Sequence, residues 1–466
     1  MDLKRPKIGL LTLFFDLYLT SGDTLLTSCQ AFAAQLVEGL DQLAEVVYPG
    51  VCADRAQAAA AVRAFEAAEV DLIVVVHLTY APSQYAAPAL LRTGIPLLLW
   101  STQKLPAVTE AITNWDLEEN HGVHGTQDLA NVLRRVQRRF AVLAGHWQDA
   151  ATHQGLREWF EAARIRRGLQ SARVGLIGHP MEHMGDFGLD ETAFETQLGV
   201  HVQHLAQRAI AVAAREAPAE AIRDRMRVDL DHFKAHVNLT DAQHEAAARL
   251  EWAIKQTLER EGLIGFASHF LSIAQEGLLD TLPFLAASNL LAAGYGYGGE
   301  GDVTSAVAVW IFRQLAGEAT FTEMFTMDFG GDSLLMSHMG EGNWRLARAD
   351  HPIVLRSDPF DLAAFAADPV SLTFALRPGP ATLLNITVGP EGRLQWIVVE
   401  GEVVDSQPLP QLTQTHHRFR FAQPVARFVE AYAQTGGSHH QALAYGHWGS
   451  TLSRLAGLLD VPFFAL

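Results

Sequence analysis

Cysteine is nearly absent: Cys29 and Cys52 are the only two in 466 residues. Cys29 sits in a helical apolar pattern and Cys52 follows a strand and turn, so neither a disulfide framework nor a thiolate zinc site can be built from them. Long apolar runs are missing too, none reaching ~18 residues, which predicts no transmembrane helix. The start, Met1-Asp2-Leu3-Lys4-Arg5-Pro6-Lys7, carries no cleavable apolar segment and leads straight into a strand pattern, so a cytoplasmic protein is expected. No basic block opposes the net charge of −17, and that field repels phosphate backbones, so nucleic acid is not an expected partner. The densest basic run, Arg134 to Arg139, reads as the solvated face of a helix.

What is present fits an ordinary globular protein, with 49% hydrophobic and 19% charged residues and no polar low-complexity tract. The length predicts several cores. In the first part, short apolar runs alternate with amphipathic helices. Strands are predicted at Ile8 to Leu13, Ala44 to Tyr48, Leu72 to His77, Pro96 to Trp100 and Phe140 to Gly145, with helices at Thr24 to Leu40 and Ala56 to Ala68. That alternation predicts a parallel sheet covered on both faces, with ligands at the carboxyl ends of its strands. A second α/β stretch opens at Arg173 to Gly178 and turns helical. Thr240 and Gln243 form a capping pair for a helix to about Glu261, followed by a strand at Ile264 to Ser268 and a helix from Asp280 to Ala293. Beyond residue 320 short β-branched runs predict an antiparallel domain, with a hairpin at Gly389-Pro390-Glu391-Gly392. The expected fold is therefore two Rossmann-like parallel-sheet α/β domains, 1–170 and 171–318, and a C-terminal antiparallel β domain, 319–466.

Chemistry concentrates in four segments. Tyr297-Gly298-Gly299-Glu300-Gly301-Asp302 holds two carboxylates against an apolar helix predicted from Val303 to Leu315. The helix dipole alone would account for both, and a metal or substrate ligand at Glu300 is the competing reading. Gly294-x-Gly296-x-x-Gly299 matches the dinucleotide fingerprint in form, but that fingerprint must follow a strand, and residues 289–293 read as helix. Strand alternation puts Glu323 on one face with Phe325, Met327 and Phe329, where an acid needs a partner or a metal. His338, and the pair His439 and His440, would each alone be structural or loop residues. Two glutamates and two imidazoles together suit Mn²⁺, Co²⁺ or Mg²⁺ better than structural zinc. Asn120 to Gly125 and Gly145 to Asp149 are further polar clusters without a distinctive spacing.

These segments together resemble the L-arabinose isomerase family. The resemblance rests on His124-Gly125 with Gly145-His146-Trp147-Gln148-Asp149, Tyr295 to Asp302, Ser337-His338-Met339 and Gly436-Gly437-Ser438-His439-His440, in order along most of the chain. It implies aldose-ketose isomerisation of a free sugar of the L-arabinose type, or another pentose or hexose, through an enediolate. Implied metal ligands are Glu300, Glu323, His338 and His440, with Mn²⁺ expected first, and the two glutamates also serve as acid and base. The resemblance also implies a homo-oligomer, trimer or hexamer, in which the loop bearing His124 enters a neighbouring subunit's site. Implied sugar contacts are Phe15, Asp16, Tyr80, His124, Met181, Phe270 and His439. The family's first strand ends in Ser-Gln-His-Leu-Tyr-Gly, whereas this chain reads Phe14-Phe15-Asp16-Leu17-Tyr18-Leu19, so a glutamine is replaced by Phe15 and the sugar stays open. Two alternatives belong to other classes: a catalytically silent sugar-binding or regulatory homologue, and a nicotinamide-dependent dehydrogenase.

Overall fold

The run Lys7–Leu13 is buried from Ile8 onward and forms a strand of a wholly parallel sheet. The computed structural model describes residues 3–21 and 24–466, which fall into two units, 3–167 and 168–466. In the first, Lys7–Leu13 and Leu97–Ser101 flank Leu72–His77, every residue of which is buried. Such a strand is apolar throughout because helices cover both faces of its sheet, unlike the alternating strand of a half-exposed sheet. The helix Arg55–Ala67 starts where Asp54 accepts a hydrogen bond from the Gln57 backbone N–H, and it buries Ala58, Val62 and Phe65. Gly9 has no side chain because the Phe65 ring lies where a Cβ would stand, 2.6 Å away.

The second unit begins with a four-stranded parallel sheet in the order Gly296–Gly298, Gly265–Ser268, Arg173–Ile177, His201–Leu205. The helix Asp241–Glu261 has the capping box expected of Thr240 and Gln243 and ends at Gly262 in left-handed conformation. It packs with helix Ala219–His232 around a buried polar network. There Asp229 meets Arg225 and the His244 Nε2, and Asn289 Nδ2 donates to Glu251 at 2.7 Å.

The C-terminal strands form a sheet that closes on itself. Gly379–Val388, His440–Tyr445, Thr320–Asp328, Ser333–Ser337, His416–Phe421 and Leu394–Val403 pair antiparallel in sequence around the ring, and the last pairs back to the first. Closure removes free edges and encloses a core that includes Met336, Leu383, Val399, Phe419 and Leu443. Phe463–Ala465 pairs in parallel with Trp396, Ile397 and Val398, on the edge of Leu394–Val403 that His416–Phe421 occupies at 401–403, so the region is mainly rather than purely antiparallel. A small second sheet joins Val354–Ser357 to Val370–Thr373 and, in parallel, to Ala235–Val237. That sheet crosses residue 318 and helps make 168–466 one unit.

Two local expectations need correction. The helix before the glycine-rich turn runs Phe284–Ala292, but the turn itself contains the short strand Gly296–Gly298. Gly294 and Gly296 therefore lie before and inside that strand, not between strand and helix as the dinucleotide fingerprint requires. Strict alternation from Glu323 also fails. A bulge between Met324 and Thr326 shifts the register, and Phe325, Met327 and Phe329 are exposed while Glu323 is only partly so.

Candidate metal centre

Barrel register assembles most of the site. Glu323 stands opposite His440 on one neighbouring strand and opposite Ser337 on the other, and His338 is the next residue after that strand ends. Side chains of paired residues in adjacent strands lie side by side, so three chain segments more than a hundred residues apart overall converge here. Glu300 arrives from the parallel sheet, on the turn between Gly296–Gly298 and the helix Val303–Ala316. It holds φ +56°, a left-handed conformation that is uncommon outside glycine and that marks a constrained position. Gly299 makes the approach possible, because a Cβ there would sit 2.5 Å from His338 Cε1.

The donor atoms form two overlapping triads that share His440. Those of Glu323, His338 and His440 lie within 4.8 Å of one another, and so do those of Glu300, His439 and His440. His440 Nε2 is 3.5 Å from Glu300 Oε2, and His338 Nε2 is 4.0 Å from Glu323 Oε2. Three of these atoms, His338 Nε2, His440 Nε2 and Glu300 Oε2, are removed from solvent and have no hydrogen-bond partner. Buried polar atoms left unmatched are costly, and unmatched atoms converging on one point suit a cation.

The opposite nitrogen of each buried imidazole is anchored by a carboxylate. His338 Nδ1 bonds Glu341 Oε2 at 2.7 Å, and His440 Nδ1 bonds Asp302 Oδ2 at 3.1 Å. This carboxylate-imidazole arrangement turns Nε2 inward and raises its basicity, as around bound metals. Asp302 also caps the helix Val303–Ala316, accepting from the Thr304 and Ser305 backbone N–H groups and from both hydroxyls. Glu341 in turn accepts from the Tyr297 hydroxyl at 2.7 Å. Glu341 is not among the residues the sequence singles out; its spacing of three residues from His338 is the one signal it carries there.

Electrostatics follow from this packing. Burial would lower the His338 pKa, but the charge and hydrogen bond of Glu341, with Glu323 and Glu300, outweigh it and hold the imidazole at about 8. Burial would raise the Glu300 carboxyl, yet His439, His338 and His440 keep it below the usual glutamate range. His439 is pulled up to about 10 against burial, chiefly by Asp186, whose Oδ2 is 2.5 Å from Nδ1. Its Nε2 lies 3.6 Å from Glu300 and 3.8 Å from Glu323, beyond hydrogen-bond range of either, so it acts on both as a charge.

The remaining expected sugar contacts divide between the two units. In 3–167, Phe15, Tyr80 and His124 fall in one aromatic cluster: Phe15 meets Tyr80 edge-on at 5.5 Å, and Tyr80 meets His124 at 5.4 Å. Tyr18, Tyr85 and His121 extend it, with the Tyr85 hydroxyl donating to Asp16. In 168–466, the Met181 backbone N–H donates to the Glu300 carbonyl at 2.8 Å. Phe270 is buried against His269 and Phe360.

Comparison with known proteins agrees from residue 10 to residue 462. Family models of the L-arabinose isomerase N-terminal, central and C-terminal domains match residues 10–171, 173–318 and 318–462. An L-arabinose isomerase of Yersinia pestis bv. Antiqua (strain Nepal516) is 28% identical over 406 residues, covering 83% of this chain and 79% of that protein. One from Serratia proteamaculans is 26% identical over 407 residues, with the same coverage of both chains.

Proposed function

The chain belongs to the L-arabinose isomerase family and is an aldose-ketose isomerase; from that premise we propose that it acts on a free pentose or hexose at the Glu300, Glu323, His338 and His440 centre with a divalent ion. The observation that carries the metal is the set of buried, unmatched atoms His338 Nε2, His440 Nε2 and Glu300 Oε2, with Glu341 and Asp302 anchoring the two imidazoles from behind. A mixed carboxylate and imidazole set favours Mn²⁺, with Co²⁺ and Mg²⁺ next. Held by these residues, such an ion would supply Lewis acidity to polarise the sugar's carbonyl.

The protein's own groups then move the protons. Glu300, held ionised by the imidazoles around it, is suited to take the proton from the carbon next to the carbonyl, giving an enediolate, and Glu323 serves the oxygen. His439, fixed by Asp186, is placed to donate to a sugar oxygen. Phe15, Asp16, Tyr80, His124, Met181 and Phe270 belong to the same proposal as sugar contacts. L-Arabinose is tested beside other pentoses and hexoses, since Phe15 and Asp16 replace the family's first-strand end and alter which hydroxyl pattern fits.

An aldose panel with added Mn²⁺, read as ketose formation, tests this directly. Turnover of at least one aldose is expected, and Glu300→Gln or Glu323→Gln should lower kcat by about 10²–10⁴-fold with metal still bound. Normal turnover in either variant would remove that residue from the chemistry. Sugar binding without any ketose would leave a silent sugar-binding homologue.

A further inference from the structure

A cleft of about 590 Å³ opens on the 168–466 unit and shares no lining residue with the metal centre. Its walls are the end of the helix Ala219–His232 with Lys234, the turn Trp344–Leu346, and the chain that continues to Ile353. In a protein of net charge −17 its lining is inverted in sign: Lys234, Arg345 and Arg348 face a single carboxylate, Glu318, which leans toward Arg377 at 3.6 Å.

The cations are not equivalent. Arg348 is buried and committed, donating to both Asp350 oxygens at 2.7 Å and to the Ser406 carbonyl, so it is wall. Arg345 is exposed and has no carboxylate partner among the described residues; its guanidinium lies 5.3 Å from the Trp344 ring. Lys234 is exposed and only loosely held, donating to the Leu230 carbonyl at 3.5 Å and standing 3.7 Å from Asp231. His351 Nε2 is out of contact with water and has no hydrogen-bond partner, Asp350 standing 4.0 Å away. Beside these groups Trp344 is a fixed plane. Its Nε1 donates to Asn289 at 3.1 Å, and the His232 and Phe233 rings hold it at 4.3 and 5.7 Å.

We propose that this cleft binds a phosphorylated small molecule carrying a ring, with the phosphate on Arg345 and Lys234 and the ring against Trp344. A phosphate dianion offers only acceptors, which matches two exposed cations that no carboxylate holds at hydrogen-bond distance. A rigid indole gives a ring contact at little entropic cost, and the volume is that of a small-molecule site. Nucleotides and sugar phosphates share this chemistry, and the choice between them is experimental.

Calorimetric titration of the full chain with AMP, glucose 6-phosphate, inorganic phosphate, adenosine and glucose provides the test. At least one phosphorylated ring should bind about tenfold tighter than its dephosphorylated partner and than inorganic phosphate. Binding of AMP alone identifies a nucleotide site, and of glucose 6-phosphate alone a sugar-phosphate site. Arg345→Glu and Lys234→Glu, both at exposed positions, should each weaken that binding about tenfold or more, while Arg227→Glu, an exposed residue of the helix Ala219–His232 outside the cleft lining, leaves it unchanged. The proposal fails if no probe binds at millimolar concentration. It fails equally if the two charge reversals leave binding intact, or if inorganic phosphate binds as tightly as the ring-bearing probes.

Discussion

Glu341 has the smallest presence in the sequence and one of the largest in the site. It carries none of the proposed chemistry, yet it fixes the His338 ring and receives the Tyr297 hydroxyl, all three out of water. Removing an anchoring carboxylate behind a metal-bound imidazole typically costs about 10–100-fold in affinity, so Glu341→Ala should weaken Mn²⁺ binding by that factor in a direct titration. Protonation gives a second handle on the same ring. In the metal-free protein His338 keeps its proton up to about pH 8, above its ordinary 6.5. Its stabilising contribution is therefore complete below pH 6.5 and is lost as pH rises through 8, so the metal-free Tm should fall across that window. Metal must displace the proton, which reverses the sign: Mn²⁺ affinity should rise with pH to about 8 and then level off, and binding at pH 7 should release protons into buffer. A flat pH profile for both quantities would contradict the assigned geometry of His338.

Elements were read from the sequence more easily than the links between them. Leu72–His77 coincides with its predicted run because a strand buried on both faces is apolar throughout. Thr240 and Gln243 announced the helix they cap, because a capping box is written in adjacent residues. The four expected ligands were legible as residue types, but not the register that brings Glu323 beside His440, since strand pairing is a long-range property. The bulge after Met324 was illegible for a related reason: it answers to the partner strand and leaves no local turn residue. Asp302 shows how one residue can satisfy two readings at once. It was expected as a helix-dipole residue, and it does cap Val303–Ala316, but the same carboxylate also holds His440. Asp302→Ala should therefore cost about 1–2 kcal/mol through the cap alone and should also weaken Mn²⁺ binding. Asp302→Asn keeps an acceptor for the helix, so it should recover most of the thermal stability while metal affinity stays low. Recovery of both together would mean that the carboxylate's charge is not what orients His440.

At the scale of the whole molecule, the chain carries a net charge of −17 and, among the described residues, has no helix long and apolar enough to cross a membrane; a sugar substrate is consistent with its isomerase family. We propose that the protein works as a homo-oligomer, trimer or hexamer, in which the His124 loop completes a neighbouring subunit's site. Analytical ultracentrifugation alongside activity should find turnover confined to the oligomer, and a fully active monomer would refute the sharing. His124→Ala should then raise KM more than it lowers kcat, because the residue is assigned to binding and not to proton transfer.

The small sheet that ties Ala235–Val237 to Val354–Ser357 bears on how such a chain can be recombined. Family models meet at residue 318, which invites chimeras spliced there, but a splice at that point asks two unrelated parents to supply complementary strands of one sheet. A crossover near 167–168 leaves that sheet with a single parent. Shuffled libraries built on this scaffold should accordingly yield folded protein far more often from exchanges of residues 3–167 than from exchanges of the segment after 318, and natural mosaics of the family should carry their seams in the same place.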